Sequence, residues 1–190
     1  MTAAMMIGVS APAALDERFT RLVLDYQRRI HRFIYGMVAS DQQAEDLTQD
    51  VFLQAYRALG RLPADANESA WLFTIARNRA LQELRRRQIL RWVPLMGPRD
   101  EEDTHPDQAR PLADCIADRD VLRRAMAGVP AKDLSCLLLS IDGHSYQEVG
   151  EITGLSTAGV RARIFRAREK LRARLGEELG TAPLRLEESA

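Results

Sequence analysis

The sequence contains only two cysteines and three histidines, and its acidic and basic side chains cancel to a net charge of zero. Cys115 and Cys136 stand far apart in the sequence, so we expect two reduced thiols rather than a disulfide framework. The histidines show no metal-ligand spacing with the cysteines, and neither a metal nor another cofactor is predicted. We interpret Cys136 as a small core residue, with a redox-sensing thiol as the alternative.

Catalytic signatures and long apolar runs are also missing. The sequence shows no nucleophile–base pair, carboxylate pair or phosphate-binding loop, so the protein is not expected to be an enzyme. No stretch approaches the roughly 20 apolar residues that a membrane span requires. Residues 1–14 lack the basic leading segment of a secretory signal. These absences predict a cytoplasmic protein without membrane insertion.

Aromatic residues make up only 6% of the chain, which favours packed helices over sheet. An apolar stripe at three- and four-residue steps predicts a first helix from Leu15 to Val38. A second helix is expected to begin near Ser40, whose spacing to Gln43 is that of a capping box, and to end at Gly60. A third is expected over about 70–90.

Between positions 92 and 113 the composition changes, with four of the eight prolines and an acidic run at 100–103. This composition is typical of a solvated, flexible linker. The sequence therefore predicts an all-α protein of two small domains, the C-terminal one a helix-turn-helix. The predicted segments are a flexible tail at 1–14, an N-terminal helical domain at 15–91, the linker at 92–113, the C-terminal domain at 114–175 and a tail at 176–190.

The C-terminal domain has the pattern of a helix-turn-helix. Ser145 and Glu148 form a capping box before a short helix, and Gly154 supplies a turn before a long helix from Thr157. Ser156 is a natural N-cap for that long helix. Gly150 stands where two crossing helices need a small residue.

The long helix carries seven basic side chains against one acid, Glu169, between positions 157 and 174. On a helical wheel, one sector is apolar and faces the core: Val160, Ile164, Ala167 and Leu171. The opposite sector presents basic, small and aromatic side chains suited to the major groove of DNA: Arg161, Ala162, Arg163, Phe165 and Arg166. The alternative is a surface helix whose arginines are merely solvated.

The N-terminal half pairs an acidic helix with a basic one. The third helix carries six arginines against Glu83, with Trp71 and Phe73 ahead of them, a combination that suits single-stranded nucleic acid. Trp71 is equally well explained as a core anchor. The second helix presents Asp46 and Asp50, either as a solvated face or as a docking surface for a basic partner helix.

Taken together, these segments resemble the bacterial RNA polymerase sigma factors of the extracytoplasmic-function (ECF) type. The resemblance covers about residues 15–175 and depends on the order and spacing of four stretches: 44–52 (AEDLTQDVF), 71–78 (WLFTIARN), 145–150 (SYQEVG) and 160–168 (VRARIFRAR). It implies a factor that binds core RNA polymerase, reads the −35 element as duplex DNA, and melts and captures the −10 element as a single strand. Implied partners are the β′ clamp helices and β subunit of the polymerase, promoter DNA and an anti-sigma factor.

The resemblance also assigns site residues by position. At the polymerase contact it places Asp46, Leu47, Gln49, Asp50 and Phe52. At the −10 element it places Asn67, Trp71, Arg77, Asn78, Gln82 and Arg85. At the −35 element it places Ser156, Arg161, Ala162, Arg163, Phe165 and Arg166. Gln82 departs from the acid or Asn that is usual in the family, which leaves the −10 base preference open.

Two other functions are considered. One is a helix-turn-helix transcription regulator whose N-terminal half senses a ligand or dimerises. The other is a helical interaction protein that does not bind DNA. The acidic second helix followed by a basic, aromatic-bearing third helix argues against the regulator. The charge of the long C-terminal helix argues against the interaction protein.

Overall fold

A computed structural model describes residues 11–63, 65–92 and 112–178 of the chain. The described residues form seven α-helices and no strand, which confirms the all-α prediction. In chain order they are α1 (Ala11–Val38), α2 (Asp41–Leu59), α3 (Glu68–Trp92), α4 (Leu112–Ala127), α5 (Ala131–Ile141), α6 (Tyr146–Thr153) and α7 (Thr157–Glu178). None of the helices in the described part of the chain is long and apolar enough to cross a membrane.

The chain segments differ in detail from their predicted limits. Residues 11–14 belong to α1 rather than to a flexible tail, and α7 continues to Glu178, into the predicted C-terminal tail. The rest of both predicted tails, and the linker from 93 to 111, lie outside the described residues.

Helices α1, α2 and α3 pack into the N-terminal core. Ile30 and Ile34 of α1 and Val51 of α2 are completely buried. The rings of Phe33 on α1 and Phe73 on α3 meet edge to face, with centroids 5.7 Å apart. These residues recur at helical spacing because each helix buries one apolar stripe against its neighbours.

The two ends of α2 are built differently from the prediction. Ser40 is the N-cap residue, but its side chain makes no capping hydrogen bond, so the expected capping box with Gln43 is wrong. Gly60 does end the helix, yet its φ of −65° is an ordinary right-handed value that any residue adopts. The sequence pattern thus predicted both ends of α2, but neither the missing hydrogen bond at Ser40 nor the ordinary backbone conformation of Gly60.

The helix-turn-helix of α6 and α7 confirms its prediction closely. Ser145 and Glu148 form the complete capping box before α6. Gly154 ends α6 in the left-handed conformation at φ 71°, where glycine is favoured. Ser156 caps α7, because its Oγ accepts a hydrogen bond from the Gly159 N–H at 3.2 Å. The turn therefore fixes the direction in which α7 leaves the domain.

The two halves of the chain share one continuous hydrophobic core rather than lying apart. Helix α3 packs against α5 and α6, and α1 packs against α5. Leu138 of α5 lies directly beside Gly36 of α1. The two predicted domains therefore pack against each other, because apolar surfaces of both halves are buried between them.

Candidate nucleic-acid and polymerase interfaces

Helix α7 presents the predicted −35 residues on its exposed side. Val160, Ile164 and Ala167 are buried, as the helical wheel predicts. Phe165 is 66% exposed, although it is a large aromatic residue. Arg161 and four small neighbours are also exposed on this side: Ser156, Thr157, Ala158 and Ala162. An exposed aromatic among small and basic side chains leaves room for the close approach of a base pair.

Arg163 and Arg166 of this set are not simply solvated. Both guanidinium groups bind one carboxylate, that of Asp133 in the first turn of α5. Arg163 Nη1 donates to Asp133 Oδ1 at 2.8 Å. Arg166 Nε donates to Oδ2 at 3.2 Å, and its Nη2 to Oδ1 at 3.4 Å. Although burial alone would raise it, these arginines hold the pKa of Asp133 below its usual value.

The predicted −10 residues lie along the first five turns of α3 and just before it. Asn67 is the N-cap of the helix, since its Oδ1 accepts a hydrogen bond from the Ala70 N–H at 3.0 Å. Trp71 is half-buried against the hydrophobic core, which favours its role as an anchor. Asn78, Gln82 and Arg85 are exposed. Their steps of four and three place these three polar side chains on one helix face.

Arg77 differs from the other −10 residues because it contacts the C-terminal half. Its Nε donates to Ser135 Oγ of α5 at 3.2 Å. The side chain is half-buried there, and burial is the main cause that lowers the pKa of its guanidinium. Arg77 is therefore engaged inside the protein rather than presented to solvent.

The predicted polymerase contact on α2 divides into exposed and buried members. Asp46 and Gln49 are exposed, and Asp50 forms an ion pair with Arg79 of α3. Leu47 and Phe52 are buried, with relative exposures of 9% and 8%. In this structure, these two therefore support the helix from the core side and do not reach a partner surface, which corrects the expectation for them.

Sequence analysis missed Leu53 as a candidate contact on α2. Its side chain is 55% exposed. Leu53 follows Asp46, Gln49 and Asp50 by seven, four and three residues, so it shares their helix face. That spacing was available in the sequence as a signal. An exposed leucine beside carboxylates gives this face both apolar contact area and charge.

His144 is a second missed residue, at the centre of the contact between the two halves. It is buried, and its ring meets Phe73 edge to face with centroids 4.5 Å apart. Its Nε2 lies 3.2 Å from Ser69 Oγ, and its Nδ1 lies 3.3 Å from the Leu139 carbonyl oxygen. No local sequence signal links His144 to α3, because the two positions are far apart in the chain.

A cleft of about 340 Å³ separates the C-terminal part of α3 from α5 and α7. Arg85 lies on its α3 side, and Asp133, Arg163 and Arg166 lie on the other. The cleft thus brings one predicted −10 residue and two predicted −35 residues to the same small space.

Cys136 is buried in α5, where burial chiefly raises the pKa of its thiol, even though Arg77 and Arg163 lower it. A buried thiol with a raised pKa is poorly reactive, which favours the core interpretation. The side chain of Cys115 lies outside the described residues. Among the described residues, no group of three His, Cys, Asp or Glu side chains is placed to hold a metal ion.

Family comparisons match both halves of the chain. The family model for Sigma-70 region 2 matches residues 22–89, and that for Sigma-70, region 4 matches residues 119–171. The RNA polymerase sigma factor CarQ of Myxococcus xanthus is 32% identical over 162 residues, which are 85% of this chain and 91% of that protein. The ECF RNA polymerase sigma factor SigE of Mycolicibacterium smegmatis is 30% identical over 90% of this chain and 66% of its own length.

Solved structures agree with the fold. The sigma factor RpoE of Bartonella quintana, in complex with the anti-sigma factor NepR, has a TM-score of 0.62 at 25% identity and covers 86% of this chain and 98% of its own. CnrH, in complex with the cytosolic domain of CnrY, has a TM-score of 0.64 at 23% identity and shows the same fold over 85% of this chain and 90% of its own.

These sigma factors are transcription initiation factors and not catalytic enzymes. One assignment explains three observations: the helix-turn-helix with its exposed basic face, the acidic face of α2, and the region 2 and region 4 matches. The alternative of a helix-turn-helix regulator does not explain all three. The chain belongs to the ECF-type sigma factors of bacterial RNA polymerase, which direct promoter-specific transcription initiation.

Proposed function

We propose that this chain binds core RNA polymerase through α2, captures the −10 strand with α3 and reads the −35 duplex with α7. The observation that carries the proposal is the exposed basic face of α7 within an intact helix-turn-helix, in a chain that also holds a region 2 fold. Either feature alone fits several functions. Together they fit a protein that holds a promoter at two points.

At the −35 element, the accessible side of α7 supplies the chemistry of major-groove recognition. Arg161 offers hydrogen-bond donors to guanine, while Phe165 and Ala162 offer apolar contact to thymine methyl groups. The capped N-terminus of α7 at Ser156 adds backbone N–H groups for a phosphate. Arginine-to-base contacts give sequence specificity and the phosphate contacts give orientation.

At the −10 element, α3 offers polar side chains on one exposed face. Asn78 and Gln82 have amide groups that can pair with the edges of an unstacked base, and Arg85 can follow the phosphates. Capturing a base outside the stack stabilises the melted state, because the captured base cannot return to its pair. Trp71 supports this face from the core side.

At the polymerase, the α2 face combines carboxylates with an exposed apolar side chain. Asp46 and Asp50 attract a basic partner helix, and Leu53 supplies area that is buried on contact. Gln49 lies among them on the same face. We assign this face to the clamp helices of the β′ subunit, and Leu47 and Phe52 to its structural support.

An anti-sigma factor is proposed as a further partner. The neighbouring structures RpoE and CnrH are complexes with NepR and with the cytosolic domain of CnrY, respectively. A partner that binds both halves of this chain would compete with core polymerase and with promoter DNA. Because those are the chain's working partners, we place the protein in the cytoplasm.

The test is run-off transcription with purified core polymerase, this chain and a library of promoter fragments. Specific transcripts that depend on the chain support the proposal, and no specific initiation from any template would refute it. Asp50→Asn and Arg161→Ala then separate the interfaces. The first is expected to weaken binding to core polymerase, and the second to weaken −35 binding by about 1–3 kcal/mol while core binding stays intact.

A further inference from the structure

The geometry points to Asp133 as a positioning residue for −35 recognition, one that orients Arg163 and Arg166 and restrains their contact with non-target DNA. This inference rests on the proposed role of α7. Asp133 itself lies on α5, outside the recognition helix, and its side chain is only 8% exposed.

The position of Asp133 makes it a fixed reference point. It lies in the first turn of α5, where an acidic side chain is favoured by the helix dipole. Burial restricts the carboxylate to one place, whereas the Arg166 side chain it binds is 52% exposed. A buried acid holding a half-exposed arginine orders a side chain that would otherwise sample many rotamers. Because the arginine is already ordered, the protein loses less side-chain entropy when it binds DNA.

The hydrogen bonds to Asp133 leave Arg166 able to read a base. Asp133 binds Arg166 along its Nε–Nη2 edge, with distances of 3.2 and 3.4 Å. A guanidinium has five N–H donors, so the edge formed by its two Nη groups stays available. Two Nη groups are enough for the paired hydrogen bonds to guanine O6 and N7.

The negative charge of Asp133 has a second effect. Seven basic side chains between positions 157 and 174 attract any DNA, because phosphate contacts carry no sequence information. A carboxylate bound to two of these arginines reduces that general attraction. Only a duplex with correctly placed base acceptors then gains hydrogen bonds that offset this loss of attraction. Asp133 is thus expected to raise the ratio of specific to non-specific affinity.

The experiment compares Asp133→Asn with Asp120→Asn in the full chain. Asp120 lies on α4 and pairs with Arg123 of the same helix, so its change removes one charge that is not bound to Arg163 or Arg166. The probes are the −35 duplex selected by the wild-type chain from a random pool, its single-base variants and a scrambled duplex. Asp133→Asn is expected to lower the ratio of selected to scrambled affinity at least about fivefold, with scrambled binding unchanged or tighter.

The controls distinguish the possible failures. Asp120→Asn should keep the wild-type ratio, and Asp133→Glu should recover part of it because the charge is retained. If Asp133→Asn keeps or raises the ratio, the positioning role is wrong and the carboxylate is only structural. A wild-type chain that selects no duplex would instead contradict the −35 assignment of α7. Should Asp133→Asn fail to fold, Asp133→Ser gives the same comparison with a smaller polar side chain.

Discussion

A Cβ atom at Gly150 would lie 2.7 Å from the Leu155 carbonyl oxygen, which is closer than real Cβ atoms come. Gly150 belongs to α6, and Leu155 lies in the turn that leads to α7. The Leu155 N–H also donates to the Gly150 carbonyl oxygen at 3.1 Å. The turn of the helix-turn-helix thus folds directly onto the backbone of α6, and only glycine leaves space for it.

Gly150→Ala is therefore expected to destabilise the protein by about 1–3 kcal/mol, because the clash is with backbone and cannot be relieved by a side-chain rotation. The measurement is urea unfolding followed by circular dichroism. Gly60→Ala is the control: a Cβ there meets nothing within 4 Å, and its φ is −65°. That change is expected to be neutral or stabilising, up to about 1 kcal/mol. Equal losses in both variants would contradict the role of Gly150.

Ser145 and Ser40, two of the serine N-caps, form a matched pair. Ser145 accepts the Glu148 N–H at 3.2 Å, whereas Ser40 makes no side-chain capping bond. Ser145→Ala is expected to cost about 1 kcal/mol, within the usual range for a lost N-cap. Ser40→Ala is expected to cost less than about 0.5 kcal/mol. The free energies of unfolding of both variants check this, and a larger loss for Ser40→Ala would contradict it.

The acidic face of α2 is predicted to contribute to the affinity for core polymerase. Asp50→Asn removes a carboxylate that faces the proposed partner, so affinity for core polymerase is expected to fall about tenfold, or on the order of 1.4 kcal/mol. Asp25→Asn removes an exposed carboxylate from α1 and should leave that affinity unchanged. Fluorescence anisotropy of the labelled chain with core enzyme measures both. An equal effect of the two variants would indicate general charge attraction only.

The stability supplied by Asp133 is predicted to depend on pH. Its folded-state pKa lies below the usual value because of Arg166 and Arg163, so its contribution is present above its unfolded pKa of about 3.9. The contribution is lost as the pH falls through the folded-state pKa. The difference in unfolding free energy between wild type and Asp133→Asn should thus be constant near neutrality and shrink in acid. A difference that stays constant down to acid unfolding would contradict the ion pairing.

The sequence predicted those features that depend on local patterns. The apolar stripe of α1, the capping box at Ser145 and the inward sector of α7 are all set by residues within a few turns of each other. The capping box predicted for Ser40 and Gln43 does not form. The Ser40–Gln43 spacing permits the box, but the serine side chain makes no capping bond.

The features that sequence analysis missed are long-range. The Asp133–Arg166 ion pair joins α5 to α7 across 33 positions, and Ser69–His144 joins the two halves across 75. Hydrophobic periodicity identifies the buried face of each helix but not the helix it meets. For that reason the sequence predicted two domains but not the packing between them, in which Leu138 lies beside Gly36.

The most direct test of promoter recognition at two points is run-off transcription with core polymerase on a promoter recovered with this chain. The promoter is used in four forms: intact, with the −10 element scrambled, with the −35 element scrambled, and with both scrambled. The intact promoter is expected to give a specific transcript that requires the chain. A large loss is expected when either element is scrambled, because the chain holds the promoter at two points. A transcript of equal strength from all four templates, or one that forms without the chain, would contradict recognition at two points.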